Sequence, residues 1–273
     1  MGNQPYIVGV GAANLDLNGA SCAPIHLRDS NPGHISLSAG GVTRNVCENL
    51  ARLGADVKLL SCMGDDVFGS YIRRSCVEAG IDIRYLHEAK GAHSSIYLSI
   101  LDADGDMLVG MSDMRIVQQD LPADYLPSQK QLIQGAKVVT CDPCMGETAL
   151  LQLLDLCKPP QIVCVDPVSC AYARVVAPLI GRFHTAKPNR MELEILAGME
   201  IRSDADLQRA GEVVLNKGLK RLFVSLGAEG CFYMDDTGAV LRRKLRPAKM
   251  VNASGAGDSF AAAMLYATLQ GYD

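Results

Sequence analysis

The sequence lacks the features of a membrane protein and of a nucleic-acid-binding protein. No apolar run reaches the roughly 20 residues that a membrane-spanning helix needs. The formal net charge is −4 and the one basic cluster, at residues 242–246, is short, so nucleic acid is not expected as the main partner. The first residues contain no basic signal-type region, and we therefore expect a cytoplasmic protein.

The cysteines lack the spacing of a disulfide framework or a zinc site. Six of the ten lie inside apolar periodic segments, as buried thiols do: Cys47, Cys62, Cys76, Cys157, Cys164 and Cys231. Cys141 and Cys144 form a C-x-x-C pair, but no second pair follows at zinc spacing, and the histidines form no ligand pair. We therefore expect reduced thiols and assign the cysteines no metal or redox role.

Strand and helix patterns alternate along most of the chain. Strands are predicted at 6–11, 57–62, 137–140, 162–165 and 222–225, and helices at 40–54, 66–79, 147–157, 189–197 and 204–216. Alternation with near-continuous apolar strands predicts an α/β fold, in which helices cover both faces of a parallel sheet. No repeat or low-complexity linker divides the 273 residues, so we expect a single domain.

Two stretches do not fit the parallel sheet. Residues 17–38 are polar with a short alternating segment, and residues 94–111 contain two alternating segments around a turn at 102–106. We predict that these stretches pair with each other as a small β-sheet lid. A homodimer formed through the lid is a further expectation.

The stretch Gly255-Ala256-Gly257-Asp258 has the composition of an anion-binding helix start. Ser254 is an N-cap candidate, and the small residues leave the backbone N–H groups of 255–257 uncovered at the positive end of the helix dipole. Asp258 is either an ordinary first-turn aspartate or a base. In the second case, the amides hold a phosphoryl group while Asp258 takes a proton from the attacking hydroxyl.

Polar residues in the first fifth of the chain suit a hydroxylated substrate. Gly40 and Gly41 precede a helix that carries Asn45, so backbone amides and a carboxamide meet at one helix start. Asp16, which follows a buried strand, is either a turn residue or an acceptor for two vicinal hydroxyls.

Two later segments suit a nucleotide and its metal. Glu192 lies three residues after Asn189, which is the spacing of a capping box, but it could also hold Mg²⁺ through water. The strand and loop that contain Ser225, Gly227 and Gly230 could pass beneath a nucleoside triphosphate.

In this order, the motifs resemble those of the ribokinase-like (PfkB) carbohydrate kinase family. The matching motifs are Asn14-x-Asp16, Gly40-Gly41-x-x-x-Asn45, Asn189-x-x-Glu192, Gly227-x-x-Gly230 and Gly255-Ala256-Gly257-Asp258. The resemblance covers essentially the whole chain and implies a ribokinase-like three-layer sandwich. Within the family the chain is most similar to the pseudouridine kinases, in Asp29-Ser30-Asn31-Pro32-Gly33, Gly40-Gly41-Val42-x-Arg44-Asn45, Ser95-x-Tyr97-Leu98-Ser99, Asp166-Pro167-Val168-Ser169 and His184-Thr185-x-Lys187-Pro188-Asn189-Arg190.

The resemblance implies transfer of the terminal phosphoryl group of ATP to the 5′-hydroxyl of a nucleoside such as pseudouridine. It implies that Asp258 is the base and that Gly255, Ala256 and Gly257 form the anion hole. The implied ribose-binding residues are Asn14, Asp16, Gly40, Gly41 and Asn45, and the implied nucleotide-binding residues are Lys187, Asn189, Ser225, Gly227 and Gly230. Glu192 would serve Mg²⁺, and Asn252 and Ser254 would lie near a monovalent cation such as K⁺.

Ser30, Asn31 and Ser95, with Asp113 as a fourth, are the candidates for contact with the nucleoside base, although ordinary turn and strand polarity also explains them. Kinases of the same family that act on a free sugar or a purine nucleoside remain alternatives. A non-catalytic nucleoside binder is a third, because we expect the family's C-terminal helices, which help to enclose the adenine, to be missing after residue 273.

Overall fold

The computed structural model describes residues 5–245 and 255–272. The strands are β1 Tyr6–Val10, β2 Asn14–Ser21, β3 Gly33–Gly40, β4 Asp56–Leu60, β5 Cys62–Gly64, β6 His87–Ala89, β7 Ile96–Leu101, β8 Met107–Asp113, β9 Val138–Cys141, β10 Ile162–Val165, β11 Thr185–Ala186, β12 Arg221–Ser225, β13 Cys231–Asp235 and β14 Val240–Arg243. The α-helices are α1 Val42–Arg52, α2 Val67–Glu78, α3 Arg115–Gln119, α4 Tyr125–Ser128, α5 Lys130–Gly135, α6 Glu147–Leu156, α7 Cys170–Val176, α8 Arg190–Ala197, α9 Asp204–Asn216 and α10 Ala256–Leu269.

The main sheet has the strand order β14-β13-β12-β11-β10-β9-β1-β4 among the described residues. The six strands from β12 to β4 are parallel to one another. β13 and β14 extend the sheet at one edge, where each is antiparallel to the strand before it. The predicted mainly parallel sheet is therefore confirmed. None of the helices in the described part of the chain is long and apolar enough to cross a membrane.

Two apolar clusters fill the spaces on either side of the main sheet. One joins α1, α2 and α10 to sheet residues such as Ile7 and Val138, and the other joins α6, α8 and α9 to residues such as Val8 and Val139. Consecutive strand residues thus pack on opposite faces, as the alternation of side chains along a strand requires. The result is the predicted three-layer arrangement.

A second sheet, with the order β3-β2-β7-β8, contains both stretches that did not fit the main sheet. β2 pairs with β7 in parallel, with Asp16 opposite Tyr97, and with β3 in antiparallel register, with Asn14 opposite Gly40. The predicted pairing of the two stretches is confirmed. One placement was wrong, because Asn14 and Asp16 lie at the start of β2 rather than at the end of the first strand.

Local capping explains where several helices begin. The Asp66 side chain accepts a hydrogen bond from the Gly69 N–H at 2.7 Å at the start of α2, and Ser203 caps α9 in the same way. The strand predicted at 57–62 is divided in two, because the chain leaves the main sheet after Leu60 and β5 pairs with β6 instead.

Candidate active site

Charged residues follow three neighbouring strands of the main sheet at their carboxyl ends. Asp142 directly follows β9, Asp166 follows β10 and Lys187 follows β11, and these three strands are adjacent. In open parallel sheets, ligands bind at this edge. We did not select Asp142 or Asp166 from the sequence, although each begins an Asp-Pro pair after a buried strand, and this repetition was the available signal.

A cavity of about 410 Å³ lies where this edge meets the second sheet. Its lining residues are Ala12, Asn14, Asp16, Gly41, Val42, Asn45, Tyr97, Ser112, Met114, Cys144, Val168, Ser169 and Tyr172. The structure thus brings together four of the residues expected at the ribose. None of the lining residues beyond position 90 was chosen as a site residue, although Tyr97, Val168 and Ser169 lie in the motifs that resemble pseudouridine kinases.

Asp16 presents a carboxylate to the cavity. Asn14 Nδ2 donates to Asp16 Oδ1 at 2.6 Å, and within the described part of the chain this is the one hydrogen bond that Asp16 accepts. Burial raises the pKa of Asp16, and the bond from Asn14 opposes this effect. Gly40 leaves room for the group, since an added Cβ would overlap the Asp16 carboxylate. Asp16 therefore keeps acceptor capacity for a ligand.

Gly41 fixes how α1 approaches the cavity. Its φ of 98° is in the left-handed region, and an added Cβ would lie 2.5 Å from the Ala12 carbonyl oxygen. The Arg44 N–H donates to that same carbonyl oxygen at 3.1 Å, so the first turn of α1 is attached to the loop after β1. The conformation at Gly41 therefore determines where Asn45 points.

The buried Asp142 carboxylate connects three segments around the cavity. It accepts hydrogen bonds from the N–H groups of Ala12 and Cys144 at 2.9 and 3.0 Å. It also accepts from the Thr43 N–H and hydroxyl at 3.2 and 2.6 Å. With four donors its charge is well satisfied, so Asp142 acts on the site through the loops that it holds.

Asp258 is buried at the start of α10, with 9% of its surface exposed. Asn45 Nδ2, whose side chain lines the cavity, donates to Asp258 Oδ2 at 2.8 Å. Burial raises the pKa of Asp258 to about 6; the Asn45 hydrogen bond opposes this rise, and the charge of Asp166 adds to it. A carboxylate with this pKa is ionised at neutral pH and is a competent general base.

The backbone at the start of α10 is accessible. Gly255, in the left-handed region with φ 75°, precedes the helix, and Gly255 and Ala256 are exposed. The first N–H groups of an α-helix have no intrahelical acceptor, so they are free to bind an anion beside Asp258. Ser254 and Asn252, the N-cap and cation candidates, lie outside the described residues.

The buried Lys187 side chain provides positive charge beside this helix start. Its Nζ contacts Asp166 Oδ2 at 3.0 Å, and an added Cβ on Gly257 would lie 3.5 Å from Nζ. Burial lowers the pKa of Lys187, but the charge and hydrogen bond of Asp166 and the charges of Glu192 and Asp258 together outweigh that effect, so the pKa is raised. Lys187 is therefore a permanent cation at the predicted anion site.

The residues expected along the nucleotide form a second group. Asn189 and Ser225 are bridged in parallel, and the Ser225 N–H donates to the Pro188 carbonyl oxygen at 3.0 Å. Gly227 has open space where a side chain would lie, which suits a ligand-binding surface. Gly230 has no such space, because an added Cβ would overlap the Arg243 carbonyl oxygen. Close packing against Arg243 is therefore sufficient to explain Gly230.

Glu192 forms the capping box that its spacing suggested. Its Oε2 accepts from the Asn189 N–H and its Oε1 from Asn189 Nδ2, both at 2.8 Å, while Asn189 Oδ1 accepts from the Glu192 N–H. No three His, Cys, Asp or Glu side chains in the described ranges converge as a metal cage. Because Mg²⁺ commonly keeps its water ligands and uses few protein carboxylates, Glu192 with the nearby Asp166 fits a water-mediated site.

None of the four candidates for contact with the nucleoside base lines the cavity, and Asp113 is paired with Arg115. Asn31 Nδ2 donates to the His26 and Asp29 carbonyl oxygens at 2.9 and 3.0 Å, which holds the exposed turn that also contains Ser30. Ser95 is buried, and its hydroxyl has no partner in the part of the chain that the structure describes.

A polar cavity beside a buried carboxylate and an accessible helix N-terminus is the arrangement expected of a small-molecule kinase. The chain belongs to the pfkB family of carbohydrate kinases, whose family model matches residues 4–273. It is therefore an ATP-dependent kinase of that family, as the motifs predicted.

Known proteins share both sequence and fold with the chain. Pseudouridine kinase from Escherichia coli strain K12 is 35% identical over 264 residues, which are 97% of this chain and 84% of that protein. Guanosine-inosine kinase from Exiguobacterium acetylicum is 27% identical over 266 residues, which are 94% of this chain and 85% of that protein. The structure of Arabidopsis thaliana ribokinase complexed with ribose and ATP has a TM-score of 0.87 at 21% identity, covering 98% of this chain and 87% of that chain. The ribokinase-like fold is thereby confirmed.

Proposed function

We propose that the protein transfers the terminal phosphoryl group of ATP to the 5′-hydroxyl of pseudouridine. The observation that carries the proposal is the hydrogen bond between Asn45, which lines the cavity, and Asp258, which lies at the start of α10. A ribose held beside Asn45 has its hydroxyl near both the base and the anion site. The identity to a pseudouridine kinase supports the choice of nucleoside.

In the proposed reaction the 5′-oxygen bonds to the γ-phosphorus, and the bond from that phosphorus to the β,γ-bridging oxygen breaks. The hydroxyl proton passes to Asp258, and ADP leaves with the electron pair of the broken bond. The backbone amides of 255–257 and the Lys187 ammonium oppose the negative charge on the transferred group. Asp16 and Asn14 hold the two ribose hydroxyls.

We assign ATP to the surface formed by Asn189, Ser225 and Gly227, with Gly230 as the structural end of that loop. Glu192 would hold Mg²⁺ through water, and the ion would neutralise phosphate charge. A monovalent cation beside Asn252 and Ser254 remains part of the proposal from the family resemblance.

The second sheet is the proposed lid. It contributes Asp16, Tyr97 and Ser112 to the cavity wall, so its position controls the access of water to the substrate. Excluding water protects the phosphoryl group from hydrolysis.

Discrimination between pseudouridine and uridine requires an acceptor for the N–H that only pseudouridine carries beside its glycosidic carbon. Ser112 and Ser169 carry hydroxyl groups on the cavity wall, which favours them over the exposed Ser30 and over Asn31, whose amide is bonded within its own turn. A site built to pair such a group can reject the analogue that lacks it by ~10⁴ or more.

The test is to measure kcat/KM with ATP and Mg²⁺ for pseudouridine, uridine, guanosine and ribose. We expect a strong preference for pseudouridine. Ser112→Ala or Ser169→Ala should lower the ratio of kcat/KM for pseudouridine to kcat/KM for uridine. Asn31→Ala serves as the control, and its ratio of kcat/KM for the two nucleosides should equal that of the wild type. Equal rates on pseudouridine and uridine, or a preference for guanosine or ribose, would contradict the substrate assignment and leave the kinase family intact.

We also propose that two copies associate through the lid. Its face opposite Asp16 carries a cross-strand row of Leu37, Leu17, Leu98 and Met111. Met111 is 67% exposed, and an apolar row of this kind is suited to a symmetric partner. Light scattering should give a dimer that Met111→Asp dissociates, with Val240→Asp as the control. A monomeric wild-type protein would contradict the assignment.

A further inference from the structure

Arg44 is a buried arginine beside the candidate active site, with 3% of its surface exposed. Its Nη1 donates to the Ala39 carbonyl oxygen of β3 at 3.3 Å and to Asn45 Oδ1 at 3.1 Å. Its Nη2 donates to Ser75 Oγ of α2 at 2.7 Å, and its guanidinium forms an ion pair with Glu48. One side chain thus connects the second sheet, α1 and α2.

These bonds determine which way the Asn45 amide faces. Its oxygen accepts from Arg44 and its nitrogen donates to Asp258. With the amide turned over, the oxygen would face the Asp258 carboxylate and the NH₂ group would face the guanidinium. Both contacts would be repulsive, because carboxylates only accept and guanidinium groups only donate hydrogen bonds. The guanidinium therefore selects the amide orientation that serves the base.

We propose that Arg44 is a positioning residue that holds the Asn45 amide toward Asp258 and couples the base to strand β3 of the lid. The proposal rests on the proposed role of Asp258. Ala39, which accepts from Arg44, is followed in β3 by Gly40, the residue that makes room for Asp16. A shift of β3 on substrate binding would therefore act on the ribose-binding carboxylate and, through Arg44, on the base.

Other charged groups surround both ends of this connection. Glu48 is paired with Arg44, Asp16 lies within electrostatic reach of Arg44, and the thiols of Cys47 and Cys76 lie close by. Burial raises the pKa of both thiols, so they stay neutral. The groups that face Asp258 are Asp142, Asp166 and Lys187, and none of them bonds to Arg44. An effect of Arg44 on Asp258 thus runs through Asn45.

The test compares the pH dependence of kcat/KM in three variants. Arg44→Lys keeps a positive charge but cannot bond to Ala39, Asn45 and Ser75 together. Without a fixed amide, Asp258 loses the hydrogen bond that favours its ionised form, so the acid limb should move up by about one pH unit. At pH 7 the ionised fraction of Asp258 should then fall from about nine-tenths to about one-half, so kcat/KM at that pH should fall roughly twofold. The KM for ATP should stay unchanged.

Glu48→Ala is the milder second variant, because it removes only the ion partner of Arg44. Its acid limb should move in the same direction by a smaller amount. Arg52→Ala is the matched control, since exposed Arg52 pairs with the same Glu48 but does not touch Arg44. Its pH profile should equal that of the wild type.

An unchanged acid limb in Glu48→Ala and in any folded Arg44→Lys protein would overturn the proposal, even if their stability falls. A double variant gives an independent check. Arg44→Lys in an Asn45→Ala background should cost little more activity, whereas additive losses would contradict a connection through Asn45. Near-wild-type turnover of Asp258→Asn would instead remove the proposed base itself.

Discussion

At the residue scale, we propose different roles for two carboxylates, the buried Asp258 and the half-buried Asp16. Asp258 accepts from Asn45 and lies beside the start of α10, whereas Asp16 accepts from Asn14 and faces the cavity. Burial raises the pKa of both, but only Asp258 lies beside a backbone that suits a phosphoryl group. Substitutions of the two should therefore separate turnover from affinity.

Asp258→Asn should lower turnover by ~100-fold or more, because it removes the proton acceptor. Asn can still accept from Asn45, so nucleoside affinity measured by calorimetry should remain close to that of the wild type. Asp236→Asn, at an exposed ion pair, is the control. Turnover near the wild-type rate would exclude Asp258 as the base.

The ionisation of Asp258 should determine where kcat/KM decreases on the acid side of the pH–rate profile. Because its pKa is about 6, kcat/KM should fall about tenfold per pH unit below that value, as the base becomes protonated. A pH–rate profile between pH 4.5 and 8 checks this expectation. A flat profile through pH 6 would contradict it.

The ionisation of Asp258 should affect the stability of the fold in the opposite direction, so that stability falls with rising pH while activity rises. Its pKa is raised from 3.8 to about 6 on folding, so the stability that its protonated form contributes is full below pH 3.8 and is lost as the pH rises through 6. The loss amounts to roughly 3 kcal/mol at most. The neutral Asp258→Asn should therefore have a higher Tm than the wild type at pH 8, by a margin that shrinks toward pH 4. A margin independent of pH would contradict this assignment.

Asp16→Ala should weaken nucleoside binding by ~10–150-fold, which is the loss of one or two charge-assisted hydrogen bonds. ATP affinity should not change, because Asp16 lies in the cavity and not near Ser225 or Gly227. Calorimetry with each ligand measures the two effects separately. Unchanged nucleoside affinity would leave Asp16 with only a structural role.

At the scale of elements, the sequence predicted best the helices and strands that are defined by local signals such as a cap or a strong periodicity. The bounds of α9 were predicted as observed, because Ser203 caps a strongly periodic helix. β2 was placed poorly, since its polar residues resemble a turn and only pairing with β3 and β7 makes them a strand. Asn31 was a candidate for the base because of its motif, yet its amide is committed to a local turn. Such pairings cannot be seen in local sequence.

The four strands of the lid should respond to the substrate together. If β2, β3, β7 and β8 close over the substrate as one layer, their amide exchange should slow together when nucleoside is added. β14, an exposed edge strand of the main sheet, should not change. Full protection of all four strands without ligand would contradict a closing lid.

At the scale of the whole molecule, the order of the motifs was enough to predict the family and the three-layer fold. The cavity was not predictable in the same way. Tyr97 and Ser112 are opposite each other in the β7–β8 pair, whereas Tyr172 lies on α7, far along the chain. The two groups meet only because the second sheet faces the carboxyl ends of β9 and β10. The motifs are local in sequence, whereas the wall of the cavity depends on tertiary packing and is therefore not visible in local sequence.

We propose above that ATP and a nucleoside react beside Asp258. The most direct measurement is ³¹P NMR of pseudouridine and ATP incubated with the wild type and, in parallel, with Asp258→Asn. We expect a phosphomonoester signal that is coupled to the 5′-methylene protons, is formed in the same amount as ADP and is nearly absent with the variant. Inorganic phosphate as the sole product, or equal phosphoester formation by both proteins, would contradict it.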